Sequence, residues 1–245
     1  MFVTKRDELI SDIRLKDYLF GKESFLRHHQ NLLLARFGKE LKGKVVELGG
    51  YRGHDHGRYF PNAASFTATN IAGDCDEYLD IRSIHYPDGS QDAYVCVSVL
   101  EHVSEIHKAL EEMDRTLKIG GSLLLSVPFA YPFHGECDYY RLSETFYEDY
   151  FQNYEIKAFV HLGGTISSVV DILQRPKGIF KGRYVVYKLA GLFLLITLKY
   201  FETLDRFPGG YGILAVKREL RKTTTGAAKL ETTADTEPEA VHRQT

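Results

Sequence analysis

The stretch Lys44-Val45-Val46-Glu47-Leu48-Gly49-Gly50-Tyr51-Arg52-Gly53 constrains the chain more than any other. Its short apolar run suits a strand buried on both faces, as parallel strands are. The run ends in an acid and then breaks into glycines, which let the backbone turn tightly and approach a ligand. Glu47 therefore falls at the carboxyl end of a strand, the edge at which open α/β sheets bind ligands. Such a strand needs paired neighbours and covering helices, and the following sequence supplies both in alternation.

After the glycines, His54 to Phe60 reads as a short helix ended by Pro61. Ser65 to Asn70 and Glu77 to Ile81 read as the second and third strands, and Ala93 to Ser98 as a fourth, buried one. From Glu105 to Leu117, apolar residues recur at helical spacing (Ile106, Leu110, Met113, Leu117). Gly120 and Gly121 follow as an ordinary helix stop. Ser122 to Val127, Tyr154 to Val160 and Gly212 to Lys217 complete seven strands, with a helix from Ser143 to Phe151 before the sixth. This alternation predicts an α/β domain with a mostly parallel sheet sandwiched by helices.

Three regions are distinguished around that rhythm. Residues 1–43 are expected as an N-terminal helical segment, two helices divided at Gly21. Residues 44–218 form the main domain, with a helical insertion at about 165–207. Residues 219–245 have no aromatics and many Thr, Ala and Glu, the composition of a disordered tail. Within the insertion, residues 184–201 are apolar nearly all round, but Lys188 and Lys199 leave only ten residues between them, too few to span a bilayer. The stretch reads as a helix packed on the domain or on a homodimer partner, or as one lying in a membrane interface between basic flanks.

Charge and cysteine usage narrow the partners. A net charge of −2 is no polyelectrolyte signature, so nucleic acid is not expected. Cys75, Cys96 and Cys137 are an odd number without CxxC spacing, which argues against a zinc knuckle or disulfide framework and fits a reducing compartment. The N-terminus turns charged too early for a secretory signal. The expected location is cytoplasmic, with the option of a peripheral seat on the inner face of the membrane.

The motifs form a series. Val46-Glu47-Leu48-Gly49-Gly50-Tyr51-Arg52-Gly53 is followed by Asp80-Ile81, then by Ser98-Val99-Leu100-Glu101-His102-Val103. Arg115-Thr116-Leu117-Lys118-Ile119-Gly120-Gly121 comes next, and then Pro128-Phe129, His134 and Asp138-Tyr139-Tyr140-Arg141-Leu142. In this order they resemble the class I S-adenosylmethionine-dependent methyltransferases, in particular a small-molecule branch associated with surface-polysaccharide and cell-envelope biosynthesis. The resemblance is close over residues 44–142.

It implies a Rossmann-like seven-stranded fold, S-adenosyl-L-methionine as cofactor, and methyl transfer to an oxygen, or a nitrogen, of a small molecule or of a glycan or lipid-linked intermediate. It implies that Glu47, with the backbone at Gly49, Gly50 and Gly53, holds the cofactor's amino-acid end. Asn70 stands at the ribose position, Asp80 and Ile81 at adenine, and Ser98 beneath the methionyl portion. A hydroxyl acceptor needs a base, and His102 or His134 can serve near neutral pH. Helix-start or loop-ordering hydrogen bonds are their alternative roles. Asp138, Tyr139 and Arg141 are placed at the acceptor.

No metal site is expected: in His54-Asp55-His56 the imidazoles do not face one another on a helix, and the segment reads as a solvated turn. Two positions depart from the family pattern, Tyr51 for a glycine and Asn70 for an acid. They leave open a catalytically degenerate, methyltransferase-like protein that binds or scaffolds partners in envelope biosynthesis.

Overall fold

The computed structural model describes residues 8–10, 23–174, 181–198 and 207–219. Val45 and Val46 point to opposite faces of one central strand, as the two-residue period of a strand requires. That strand, β2 (Gly43–Leu48), lies between β3 (Ala63–Asn70) and β5 (Gln91–Val97), parallel to both. Beyond β3 comes β4 (Glu77–Tyr78), and beyond β5 comes β6 (Leu117–Pro128), again parallel. The last strand, β8 (Gly210–Lys217), inserts antiparallel between β6 and β7 (Tyr154–Leu162).

These are the seven predicted strands. An eighth, β1 (Glu8–Ile10), pairs parallel with β7 at the edge, giving the order β1-β7-β8-β6-β5-β2-β3-β4. Glu8–Ile10 thus corrects the expectation of helix at the start of residues 1–43. Of the two helices expected there, α1 (Phe25–Phe37) is present, while the region between lies outside the described residues.

Alternation along the strands builds a core on each face. Val45, Val95, Val97 and Leu124 meet Leu33, Leu34 and Phe37 of α1. Val46, Tyr94, Cys96 and Leu125 meet Ile106, Leu110 and Met113 of α2 (Ile106–Thr116), with Tyr147 of α3 (Glu144–Tyr150) and Phe151. Helix α1 is therefore part of one core. Helix α2 passes directly into β6, so Gly120 and Gly121 lie within the strand and do not close the helix. Between β7 and β8 lie two helices, α4 (Thr165–Gln174) and α5 (Lys181–Leu198).

Helix α1 is anchored through its first turn, where the backbone N–H groups of Phe25 and Leu26 donate to the buried Asp171 carboxylate, 2.9 Å each. Leu195 of α5 packs with Phe25 and Val170. The outer stripe of α5, Val186, Leu189, Phe193 and Ile196, is exposed. Among the described residues no helix is long and apolar enough to cross a membrane. The disordered tail predicted for 219–245 lies, beyond Glu219, outside the described residues.

The three cysteines carry free thiols.

Within α1, His29 is fully buried. Burial, with His28 beside it, pushes its imidazole down to about 3 from the ordinary 6.5. A histidine lowered on folding stabilises fully above its unfolded pKa, and that contribution is lost as pH falls toward the folded value. Between about pH 6.5 and 4.5 the loss is roughly 2–3 kcal/mol. Urea midpoints measured across this range are expected to fall for the wild type and to fall less for His29→Leu. Parallel curves would contradict the assignment.

Candidate active site

The parallel strands β2, β3 and β5 end at one edge, and there a cavity of about 570 Å³ opens. Glu47, Gly49, Asn70 and Ser98 line it from the strand ends. Asp80, Ile81, His102 and Tyr139 line it from the following loops. Gly50, Gly53, Asp138 and Arg141 lie outside the lining. His134 lines a smaller adjoining chamber of about 170 Å³, which shares Arg27 and Ser98 with the larger one.

Glu47 is 3% exposed. Its Oε1 lies 2.5 Å from His56 Nδ1, while its Oε2 is buried with no hydrogen-bond partner. His56 is itself buried, so the turn at His54-Asp55-His56 is not simply solvated as expected; its second imidazole braces Glu47. The strand hands over through Gly49 at φ +75°, where a Cβ would come within 2.3 Å of Val99 Cγ2. Only glycine fits both the conformation and the space.

Tyr51 lines the cavity, but its ring lies over Gly73 and edge-on to His54, and it is 42% exposed. The side chain is turned to the rim. Asn70 lines the cavity as predicted, yet its amide is used internally: Nδ2 donates to the Gly50 carbonyl (3.3 Å) and Oδ1 accepts from the Ile71 N–H (2.8 Å). Asp74 and Asp76 both pair with Arg52. Asp80 takes a two-pronged hydrogen bond from Arg82, which holds its carboxyl below the ordinary range.

Ser98 adopts φ +54°, an uncommon conformation for a residue with a Cβ, at the end of β5. Its Oγ accepts from Gln30 Nε2 at 2.7 Å, and Gln30 also donates to Ser126 Oγ. Helix α1 thereby reaches through the sheet edge to the cavity floor.

Past β5, Glu101 is fully buried and neither carboxylate oxygen makes a hydrogen bond among the described residues. His102 Nδ1 donates to the Cys137 carbonyl, and the Tyr139 N–H donates to the Glu101 carbonyl (2.7 Å). The two segments come this close because Gly135, at φ +74°, leaves room where a Cβ would stand 3.1 Å from His102 Cε1. On the same loop, Asp138 accepts the His134 backbone N–H (3.0 Å), lies 3.2 Å from His134 Nδ1 and pairs with Arg141. Burial opposes its charge, but Arg141 and the His134 N–H hold the Asp138 carboxyl down at about 2.

Residues 66–125 match a family model described as a methyltransferase domain. No curated protein matches. Similar solved structures include the [4+2]-cyclase SpnF (19% identity, 81% of this chain and 84% of that chain, TM-score 0.53). Another is a putative sarcosine dimethylglycine methyltransferase from Galdieria sulphuraria (15%, 83% and 96%, 0.52). A third is geranyl diphosphate C-methyltransferase from Streptomyces coelicolor A3(2), solved with Mg2+, geranyl diphosphate and S-adenosyl-L-homocysteine (12%, 78% and 77%, 0.50). The chain has the class I methyltransferase fold. The Rossmann-like fold expected from the motif series is thus present, with one strand more at its edge. A cyclase among the similar structures shows that this fold does not dictate one reaction.

Sequence reading missed Glu101, His56, Gln30 and the Cys137 carbonyl as parts of the site. The Glu101-His102 pair at the end of a buried strand was a visible signal. The approach of His134 was not, because it depends on a 32-residue excursion through α2 and β6.

Gly49→Val is expected to destabilise by roughly 2–4 kcal/mol, since it places a branched side chain at positive φ against Val99. Gly53 has open space around it, and Gly53→Ala is expected to stay within about 0.5 kcal/mol of wild type. Urea unfolding of both variants checks the contrast; equal effects would contradict it.

Proposed function

We propose that the protein is an S-adenosylmethionine-dependent methyltransferase acting on an oxygen, or a nitrogen, of a small molecule or of a glycan or lipid-linked intermediate. One observation carries the reading: Glu47 Oε2, buried at the end of β2 beside the glycine turn, has no hydrogen-bond partner among the described residues. A buried carboxylate oxygen without a hydrogen bond is costly, and the cofactor's ammonium group supplies what it lacks. Asp80 and Ile81 offer one acid and one apolar wall for adenine, and Ser98 underlies the methionyl portion. Asn70 contributes less than the resemblance implied, because its amide braces the glycine turn.

Held there by Glu47 and the glycine turn, S-adenosylmethionine would supply a methyl group to the acceptor's lone pair, the C–S electron pair staying on sulfur. The chain's part is to hold the acceptor in line and to take up its proton. A carbonyl only accepts, so His102 Nδ1 carries the ring proton toward Cys137 and the neutral ring keeps its Nε2 lone pair. His102 borders the larger chamber and His134 the smaller, so either can receive the acceptor's proton, and Tyr139 lies at the lip.

A second reading, a methyltransferase-like partner without chemistry, is favoured by the internal use of the Asn70 amide, of both Asp76 oxygens and of one Asp74 oxygen. Calorimetric titration with S-adenosylhomocysteine separates the two. The wild type is expected to bind in the micromolar range, and Glu47→Gln at least about tenfold more weakly, about 1.4 kcal/mol. No binding by folded wild type would favour the second reading.

The reading extends to a cytoplasmic protein seated at the inner face of a membrane. The exposed stripe Val186, Leu189, Phe193 and Ile196 supports this, being the apolar face that interfacial helices bury. Co-flotation with anionic liposomes is expected for the wild type and its loss for Leu189→Glu with Phe193→Glu. A dimer in light scattering that does not float would instead assign the stripe to a second copy of the chain.

A further inference from the structure

We propose that Glu101, His102 and His134 form a binding site for one divalent first-row transition-metal ion between the two chambers. Glu101 Oε1 stands 3.7 Å from His102 Nε2 and 3.5 Å from His134 Nε2. One ligand atom from each residue lies within 4.8 Å of the others. An ion held at roughly 2.0–2.2 Å by each ligand needs only a modest contraction of this triangle.

The unpartnered carboxylate is the decisive feature. Glu101 is 0% exposed and both its oxygens lack hydrogen bonds. Burying such a group is unfavourable without a cation or a full set of donors. The imidazoles are arranged for the same purpose. His102 donates Nδ1 to the Cys137 carbonyl, while His134 Nδ1 lies 3.2 Å from Asp138 Oδ2 without a hydrogen bond and the loop is tied to Asp138 through the His134 backbone N–H; both Nε2 atoms face the Glu101 carboxylate. A ring nitrogen held by a carbonyl or carboxylate, with the other nitrogen free to ligate, is the usual outer support of a metal-bound histidine. Arg141 fixes Asp138 in turn.

The histidine side chains remain 32% and 23% exposed, which leaves the ion reachable from the cavity and its further coordination positions open. Two imidazoles and one carboxylate suit Zn2+, Mn2+, Fe2+ or Co2+ better than the all-oxygen preference of Mg2+ or Ca2+. Resting on the methyltransferase reading, the site also names an acceptor class: a molecule whose hydroxyl oxygen can enter the ion's coordination sphere. A coordinated hydroxyl is acidified and releases its proton to water, so the ion takes over the work that the two Nε2 lone pairs would do as bases.

The test uses the full chain stripped with a chelator and titrated with Co2+ and with Zn2+. It follows cobalt d–d absorbance and bound metal by mass spectrometry, with circular dichroism and S-adenosylhomocysteine binding recorded on every sample. One ion per chain is expected. Glu101→Gln and His134→Ala are expected to weaken binding at least about a hundredfold, and the outer variant Asp138→Asn about tenfold. His85→Ala, which removes a histidine paired with Glu77 elsewhere, is expected to bind as wild type does. No stoichiometric ion on folded wild type, or an ion that survives both ligand variants, would overturn the proposal. Metal uptake without S-adenosylhomocysteine binding would leave the metal site standing and remove the methyltransferase reading. The opposite pattern would do the reverse.

Discussion

Parallel pairing of β2 with β3 on one side and β5 on the other is the constraint on which the site depends. Parallel strands must all end at the same edge, so their turns, with Glu47, Asn70 and Ser98, converge without any of them being close in sequence. The two cores hold that edge rigid. Helix α1 buries one face and passes Gln30 to Ser98, and α2 buries the other and feeds β6. Fold and site are thus one arrangement, and a change such as Gly49→Val acts on both.

Two buried carboxylates give the site its chemical character. Glu47 and Glu101 lie at the ends of neighbouring strands, β2 and β5, and each has oxygen atoms that receive no hydrogen bond from the described residues. His56 meets one oxygen of Glu47; two imidazoles face Glu101 but stand beyond hydrogen-bond distance. Electrostatics in a low-dielectric edge favours a cation from outside at both places. The cofactor's ammonium group suits the first and a metal ion the second. On the proposed reading, the positive charge of a methyl donor and an acceptor-activating ion would stand at adjacent strand ends.

Much of the architecture was legible in the sequence because burial on both faces leaves continuous apolar runs such as Val45-Val46 and Tyr94-Val95-Cys96, broken by glycines. The strand Glu8–Ile10 was not, since a three-residue edge strand has no period of its own and is defined by pairing with Val160–Leu162. Glu47 and Gly49, which line the cavity, stood out in the sequence through local pattern. The internal use of the Asn70 amide, by the Gly50 carbonyl and the Ile71 N–H, was not legible, because only the turn's geometry creates those contacts. The joining of His134 to Glu101 depends on the loop geometry at Gly135, which spacing does not convey.

The most direct test of this account is the structure of the protein grown with S-adenosylhomocysteine. The ligand is predicted to fill the cavity at the ends of β2, β3 and β5 with its amino group about 3 Å from Glu47 Oε2 and its adenine beside Asp80 and Ile81. A ligand bound with its amino group away from Glu47, or a cavity left empty at saturating concentration, would contradict the assignment of the Glu47 carboxylate to the cofactor site.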